Sequence, residues 1–274
     1  MRTMWKGAVN FGLINVPIKM FTATESKNIS FKSLHKECHT PIKQKRFCQN
    51  CDKEVEYTDI VKGYEYQKDS YVIIEDEDLE AIPGEKSKTI DIVEFVKLEQ
   101  IDPVYFDKSY YLAPEDTGKK AYKLLVSALE QTGKIAIAKV VIRSRESLVA
   151  LRIYEEILIM ETMHYPDEIR KSKEVPGANY DINLSENEVA MAKQLIEGLA
   201  TDFEPEKYTD NYRTQLLEII ESKVQGKEIT HVKEKPNTGV IDLMEALQAS
   251  LDMVKKEKIE DVTSKSKKRS KKTG

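Results

Sequence analysis

The sequence predicts a mixed α/β protein, mainly β, with a barrel or sandwich first and helices after it. Three observations carry that prediction. The chain opens on two apolar-patterned strands, further β-rich stretches follow at short spacing, and helical periodicity takes over after Pro176-Gly177. Punctuation at Pro83-Gly84 and Pro114 suits a barrel or sandwich better than βαβ units.

Ala8 to Leu13 reads as the first strand and Ile14 to Phe21 as the second. In the second, Ile14, Val16, Ile18 and Met20 alternate and can share one core-facing side. Pro17 donates no ladder hydrogen bond, which predicts an edge strand or a bulge there. Ile60–Tyr66, Tyr71–Ile74, Thr89–Leu98 and Ser109–Leu112 are the next β stretches. Lys119 to Gln131 carries apolar residues at helical spacing and is stopped by Gly133. Strands are expected again over Lys134–Arg145 and Leu148–Thr162, with a turn at Arg145-Glu146-Ser147. The barrel or sandwich is expected to occupy residues 1–184.

Ser185-Glu186-Asn187-Glu188 is a capping box and opens a helix to about Asp202. A second helix spans Asp210 to Gln225, ended by Gly226, and completes a helical segment over 185–226. Residues 227–238 read as a linker. In 239–256, Val240, Met244, Leu247, Leu251 and Val254 form a narrow apolar stripe flanked by Ile241. The tail over 257–274 is too polar and Lys-rich to bury a core and is expected to be disordered.

The chain has 274 residues, 40% of them hydrophobic, and a net charge of −4. No run reaches the roughly 18 apolar residues of a membrane span, and the first residues lack a signal peptide's apolar region. A cytoplasmic protein is expected. The charge is uneven: Lys255 to Gly274 holds nine Lys/Arg against three Asp/Glu. An acidic body can bind nucleic acid only if its basic residues gather on one surface.

All three cysteines fall in one pattern, His35-x2-Cys38-x9-Cys48-x2-Cys51. Paired short spacings let two knuckles converge on one tetrahedral zinc, and four protein ligands leave no open position for water. The expected cofactor is therefore a structural zinc in an insertion over 35–51, with His39 as an alternative fourth ligand. Three ordinary reduced cysteines are the bland reading. The sequence contains no Walker A, G-x-S-x-G, H-E-x-x-H or G-x-G-x-x-G pattern. His164 reads as a structural histidine, and no motif argues for catalysis.

From Lys134 to Arg152 the charge pattern departs from the acidic body. Lys139, Arg143 and Arg145 fall at odd positions and are expected to share one strand face, with Arg152 returning on the partner strand. Such a face suits phosphate oxygens, which give affinity without sequence information. A solvated face with local ion pairs is the bland alternative.

The stretch Met4 to Phe21, MWKGAVNFGLINVPIKMF, resembles the start of the bacterial Ku proteins. The resemblance continues through Leu34–Cys51, Val61–Glu65, Ile101–Phe106, Gly133–Ile135, Arg143–Glu146 and His164–Glu168, in order. It covers roughly residues 1 to 225, with the later helix from Ile241 to Leu251 also similar.

The resemblance implies a Ku-type β-barrel whose hairpin arm closes a ring in a homodimer around duplex DNA. It implies sequence-independent binding of double-stranded DNA ends in non-homologous end joining, without catalysis, by a protein at the nucleoid. A Lys-based lyase acting on abasic sites and a zinc-ribbon adaptor for proteins are the rival classes.

Lys134, Lys139, Arg143, Arg145 and Arg152 would face the DNA, in a hairpin over 134–152. In the tail, Lys265, Lys267, Lys268, Arg269, Lys271 and Lys272 would add affinity. By the same resemblance the partner is an ATP-dependent DNA ligase, docked on Ile241, Met244, Leu247 and Leu251. The opposing reading packs that helix back on its own core.

Overall fold

The computed structural model describes residues 1–82, 88–142, 145–178, 180–226 and 243–253. Two units are distinguished, Met1–Glu174 and Val175–Gly274. The boundary falls ten residues before the helical segment that the capping box marks.

The first unit holds a closed barrel of seven strands. β1 (Trp5–Phe11) and β2 (Ile14–Thr22) form a hairpin, turned at Gly12 with φ 59°. β7 (Thr89–Val96), β8 (Phe106–Pro114), β9 (Ile135–Ile142), β10 (Arg145–Tyr154) and β11 (Ile157–Met163) complete it, in the order β1-β2-β8-β11-β10-β9-β7. Closure comes from β1 pairing parallel with β7, at Ala8↔Thr89 through Asn10↔Asp91. A Cβ at Gly7 would run into the Trp5 ring and the Lys88 carbonyl, so the absence of a side chain lets the chain approach there.

Alternation places the core. Val16, Ile18 and Met20 of β2, Ala136, Ala138 and Val140 of β9, and Val149 and Leu151 of β10 are buried inside the barrel. α2 (Lys119–Thr132) packs Tyr122, Leu125, Val126 and Leu129 into this core and ends at Gly133, φ 61°. Inside, the Tyr122 hydroxyl donates to the Leu112 carbonyl at 2.6 Å and accepts from the Leu158 N–H at 2.8 Å. It thereby bridges β8 and β11, and burial raises its pKa.

Three sequence expectations are corrected here. β2 is not an edge strand, because its ladder to β8 begins at Ile18↔Pro114 and Pro17 stands just outside it. Arg145, Glu146 and Ser147 are the first residues of β10 rather than a turn. The stretch Leu148–Thr162 is split between β10 and β11 by a turn with Glu155 at φ 54°, which no Gly or Asn announced.

Between β2 and β7 an arm leaves the barrel. It carries two small hairpins, β3 (Phe47–Cys48) with β4 (Lys53–Glu54), and β5 (Lys62–Gln67) with β6 (Ser70–Ile74). A short helix α1 (Asp76–Glu80) follows, opened by a capping box at Glu75. None of the arm's described residues is buried. Phe31, Phe47, Ile60, Tyr64, Tyr71 and Ile73 are all exposed.

In the second unit, α3 (Glu186–Leu199) starts at the expected capping box: Ser185 Oγ accepts from Glu188 N, and the Glu188 carboxylate accepts from Ser185 N. α4 (Asn211–Val224) is capped by Asp210. Neither helix buries a residue. α5 covers 243–253. No helix among the described residues is long and apolar enough to cross a membrane.

Candidate functional site

The β9–β10 hairpin sets the positions of the basic residues. Its register pairs Lys139 with Leu148 and Arg145 with Ile142. Paired residues share a face, so Lys139, Glu146, Leu148, Ala150 and Arg152 lie on the outer side. Arg145 belongs to the other row, with Ser147, Val149 and Leu151, at the end where that row leaves the core. Lys139 and Arg145 therefore do not share a strand face as the odd numbering suggested, because the register pairs odd positions of β9 with even positions of β10. Lys134 is exposed just before β9. Arg143 lies outside the described residues.

Ile135 and Ile137, odd-numbered like Lys139, break the expected polar face for a packing reason. With Ala150 they form a second small core outside the barrel, against Val96, Ile101, Phe106, Leu148 and Met163.

Three of the basic side chains are in ion pairs. Lys139 Nζ lies 3.0 Å from Glu146 Oε1, and Arg145 lies 2.7 Å from Glu168 Oε1. Arg152 binds Glu161 through two hydrogen bonds, of 3.1 and 2.6 Å, with side-chain exposures of 24% and 11%. Its hydrogen bond with Glu161 raises the Arg152 pKa. The Arg152 guanidinium is thus committed to the β10–β11 ladder, whereas Lys139 and Arg145 are at the surface.

The segment after β11 completes the arrangement. Its backbone is tied down by His164 N donating to the Tyr105 carbonyl at 2.8 Å. The Tyr165 hydroxyl donates to Glu146 Oε1 at 3.0 Å, and the Tyr165 N–H donates to Glu168 Oε2 at 2.8 Å. His164 Nδ1 stands 3.7 Å from the same Glu168 oxygen. Glu146 is held below the usual carboxylate pKa by Lys139 and then Tyr165. Glu168 is lowered by the Tyr165 N–H first and by the charge of Arg145.

The Cys/His pattern folds into two turns of the same form. His35 Nδ1 lies 3.2 Å from Cys38 Sγ, and His39 follows at φ 53°. Cys48 ends β3 and Cys51 lies in the β3–β4 turn, with Asp52 following at φ 51°. A backbone N–H at Cys51 lowers the Cys48 thiol pKa. The described residues nowhere gather three or more potential ligands around one point. The four residues thus stand as two pairs.

A second basic run escaped the sequence reading. Between Lys32 and Lys53 the arm also carries Lys36, Lys43, Lys45 and Arg46, against Glu37 and Asp52. Lys45 pairs with Glu54 at 2.6 Å and Arg46 sits 5.2 Å over the Tyr57 ring. Lys32, Lys36, Lys43 and Lys53 have no carboxylate partner among the described residues. A local charge balance taken along the whole chain, not only at the tail, would have found this excess.

Residues 10–194 match the family model Ku, "Ku70/Ku80 beta-barrel domain". The chain belongs to the Ku family. It is 49% identical over 259 residues to the "Non-homologous end joining protein Ku" of Bacillus subtilis, covering 93% of this chain and 83% of that one. The protein of the same name from Desulfitobacterium hafniense is 49% identical, with 94% and 90% covered. That from Heliobacterium modesticaldum is 47% identical, with 98% of both covered.

The Ku match takes in the arm, the hairpin and most of α3, and stops before α4 and α5. In α5, Leu251 is buried at 5% exposure while Met244 and Leu247 are half-buried. Ile241 and the tail residues Lys265, Lys267, Lys268, Arg269, Lys271 and Lys272 lie outside the described residues.

Proposed function

We propose that this Ku protein binds the ends of double-stranded DNA without reading their sequence, as a ring-shaped homodimer in non-homologous end joining. The observation that carries the reading is the family match over a barrel with an inserted arm, none of whose described residues is buried. A two-stranded ribbon with apolar side chains on both faces is marginal by itself and needs a covering surface. A second copy of the chain supplies one and closes the ring. Duplex would then meet the basic surfaces on the arm and the hairpin, with the contacts assigned to Lys134, Lys139, Arg143 and Arg145. The tail lysines and Arg269 add sequence-independent affinity. Arg152 supports the hairpin instead of touching phosphate.

A ring cannot load sideways onto continuous duplex, so topology selects ends and phosphate contacts hold them. No catalysis is assigned: the protein acts by binding, at the nucleoid. It recruits and stimulates an ATP-dependent DNA ligase through α5, where Met244 and Leu247 offer the first contacts. Leu251 joins them only when uncovered.

The arm's structural cofactor is zinc. His35, Cys38, Cys48 and Cys51 fit it as a donor set: two matched turns with two N/S donors each make the four that a tetrahedral ion takes. Holding the two turns together stiffens the arm that must reach the second copy.

Titration of a short fluorescent duplex between about 50 and 200 mM salt tests the binding mode. Affinity that falls by orders of magnitude and is equal for unrelated sequences supports it. A flat salt response, or a strong sequence preference, overturns it.

A further inference from the structure

Lys139 and Arg145 are not presented bare. Each is met by a carboxylate, Glu146 at 3.0 Å and Glu168 at 2.7 Å, and Tyr165 holds both carboxylates through its hydroxyl and its N–H. Two strands and the 164–168 segment thus converge to give two cations and two anions with no net charge. Carboxylate and phosphate oxygens offer a guanidinium or ammonium the same kind of charge-assisted acceptor.

We infer that Glu146 and Glu168 are specificity-determining residues, internal stand-ins for phosphate that occupy Lys139 and Arg145 until a duplex backbone displaces them. This rests on the reading above that Lys139 and Arg145 face DNA. The pairs are built to exchange. Arg145 is 71% exposed, and Lys139 and Glu146 are each 50% exposed, where an ion pair is worth little.

Arg152 shows the contrast. It is bidentate, largely covered, and opposed by a carboxylate at 11% exposure. It does not exchange.

Displacement leaves two carboxylates close to phosphate, a repulsion that a single anion cannot offset. A duplex engaging several basic residues at once can. The network therefore raises the threshold for lesser polyanions and leaves DNA binding conditional on many contacts.

The test uses the full chain and measures Kd for one linear duplex at fixed salt. Glu146→Gln and Glu168→Gln keep an acceptor for Tyr165 while removing the charge. Each is expected to tighten binding roughly two- to fivefold, with at most a small drop in the thermal transition. The Glu146→Gln gain should vanish in a Lys139→Ala background, and the Glu168→Gln gain in Arg145→Ala.

A gain that persists in those backgrounds is generic charge removal and overturns the inference. So does an absent gain while Lys139→Ala and Arg145→Ala weaken binding, which leaves the DNA-facing reading intact. If the alanine variants bind as the parent does, the DNA-facing reading fails and the inference falls with it.

Discussion

The guanidinium of Arg152 lies against the carboxylate of Glu161 across β10 and β11, with hydrogen bonds of 3.1 and 2.6 Å. The pair sits on the outer barrel wall, largely covered by its neighbours. Removing one partner strands the other: Arg152→Ala or Glu161→Ala should lower unfolding free energy by about 2–3 kcal/mol. Chemical denaturation measures it. DNA affinity of the folded Arg152→Ala protein should change little, and a large loss would return Arg152 to the phosphate-binding group.

A second stabilising contact lies inside the barrel. Tyr122→Phe leaves the Leu112 carbonyl and the Leu158 N–H, both in fully buried residues, without the hydroxyl that joins them. The expected cost is about 1–3 kcal/mol, read as a lower thermal midpoint. No change would mean that β8 and β11 re-pair directly.

The barrel strands, the β5–β6 ribbon, α2, the capping box at Ser185 and the Gly133 stop were legible because each is a local signal: alternation, helical period, or a residue chosen for its backbone; the two-residue strands β3 and β4 are too short to show one. What escaped was set by long-range partners. Ile135 and Ile137 looked out of place until the residues around Ile101 covered them. Two of the acids opposite the basic hairpin lie beyond it in the chain, Glu161 nine residues after Arg152 and Glu168 23 after Arg145, and no spacing rule links them to it. The β10–β11 turn was missed because Glu155 takes a left-handed conformation that favours glycine. The cysteine pattern was legible as two paired spacings, and the structure keeps them as two pairs.

Zinc is expected at one equivalent per chain. Metal analysis of the purified protein should find it, and Cys48→Ser or Cys51→Ser should abolish it. The same variants should increase amide exchange in residues 35–54 while leaving the barrel's exchange unchanged. Zinc-free protein with a protected arm would show that the cysteines are ordinary thiols.

The network around Tyr165 has a defined acid limit. Glu146 and Glu168 both have pKa values below the ordinary 4.5. A depressed folded pKa contributes stability that is present above the unfolded value and is lost as pH falls through the folded one. Amide protection over residues 164–168 should therefore hold at neutral pH, begin to fall as the pH drops through the ordinary carboxylate value, and be lost through the lowered one. Loss already near neutrality would contradict this account.

The most direct test of threading is a gel-shift competition, with labelled linear duplex as probe and equal masses of linear or covalently closed circular DNA as competitor. Binding at ends through a closed ring predicts that linear DNA competes and the circle does not. A circle that competes as well as linear DNA would contradict the ring and leave simple surface attraction to phosphate as the mode of binding.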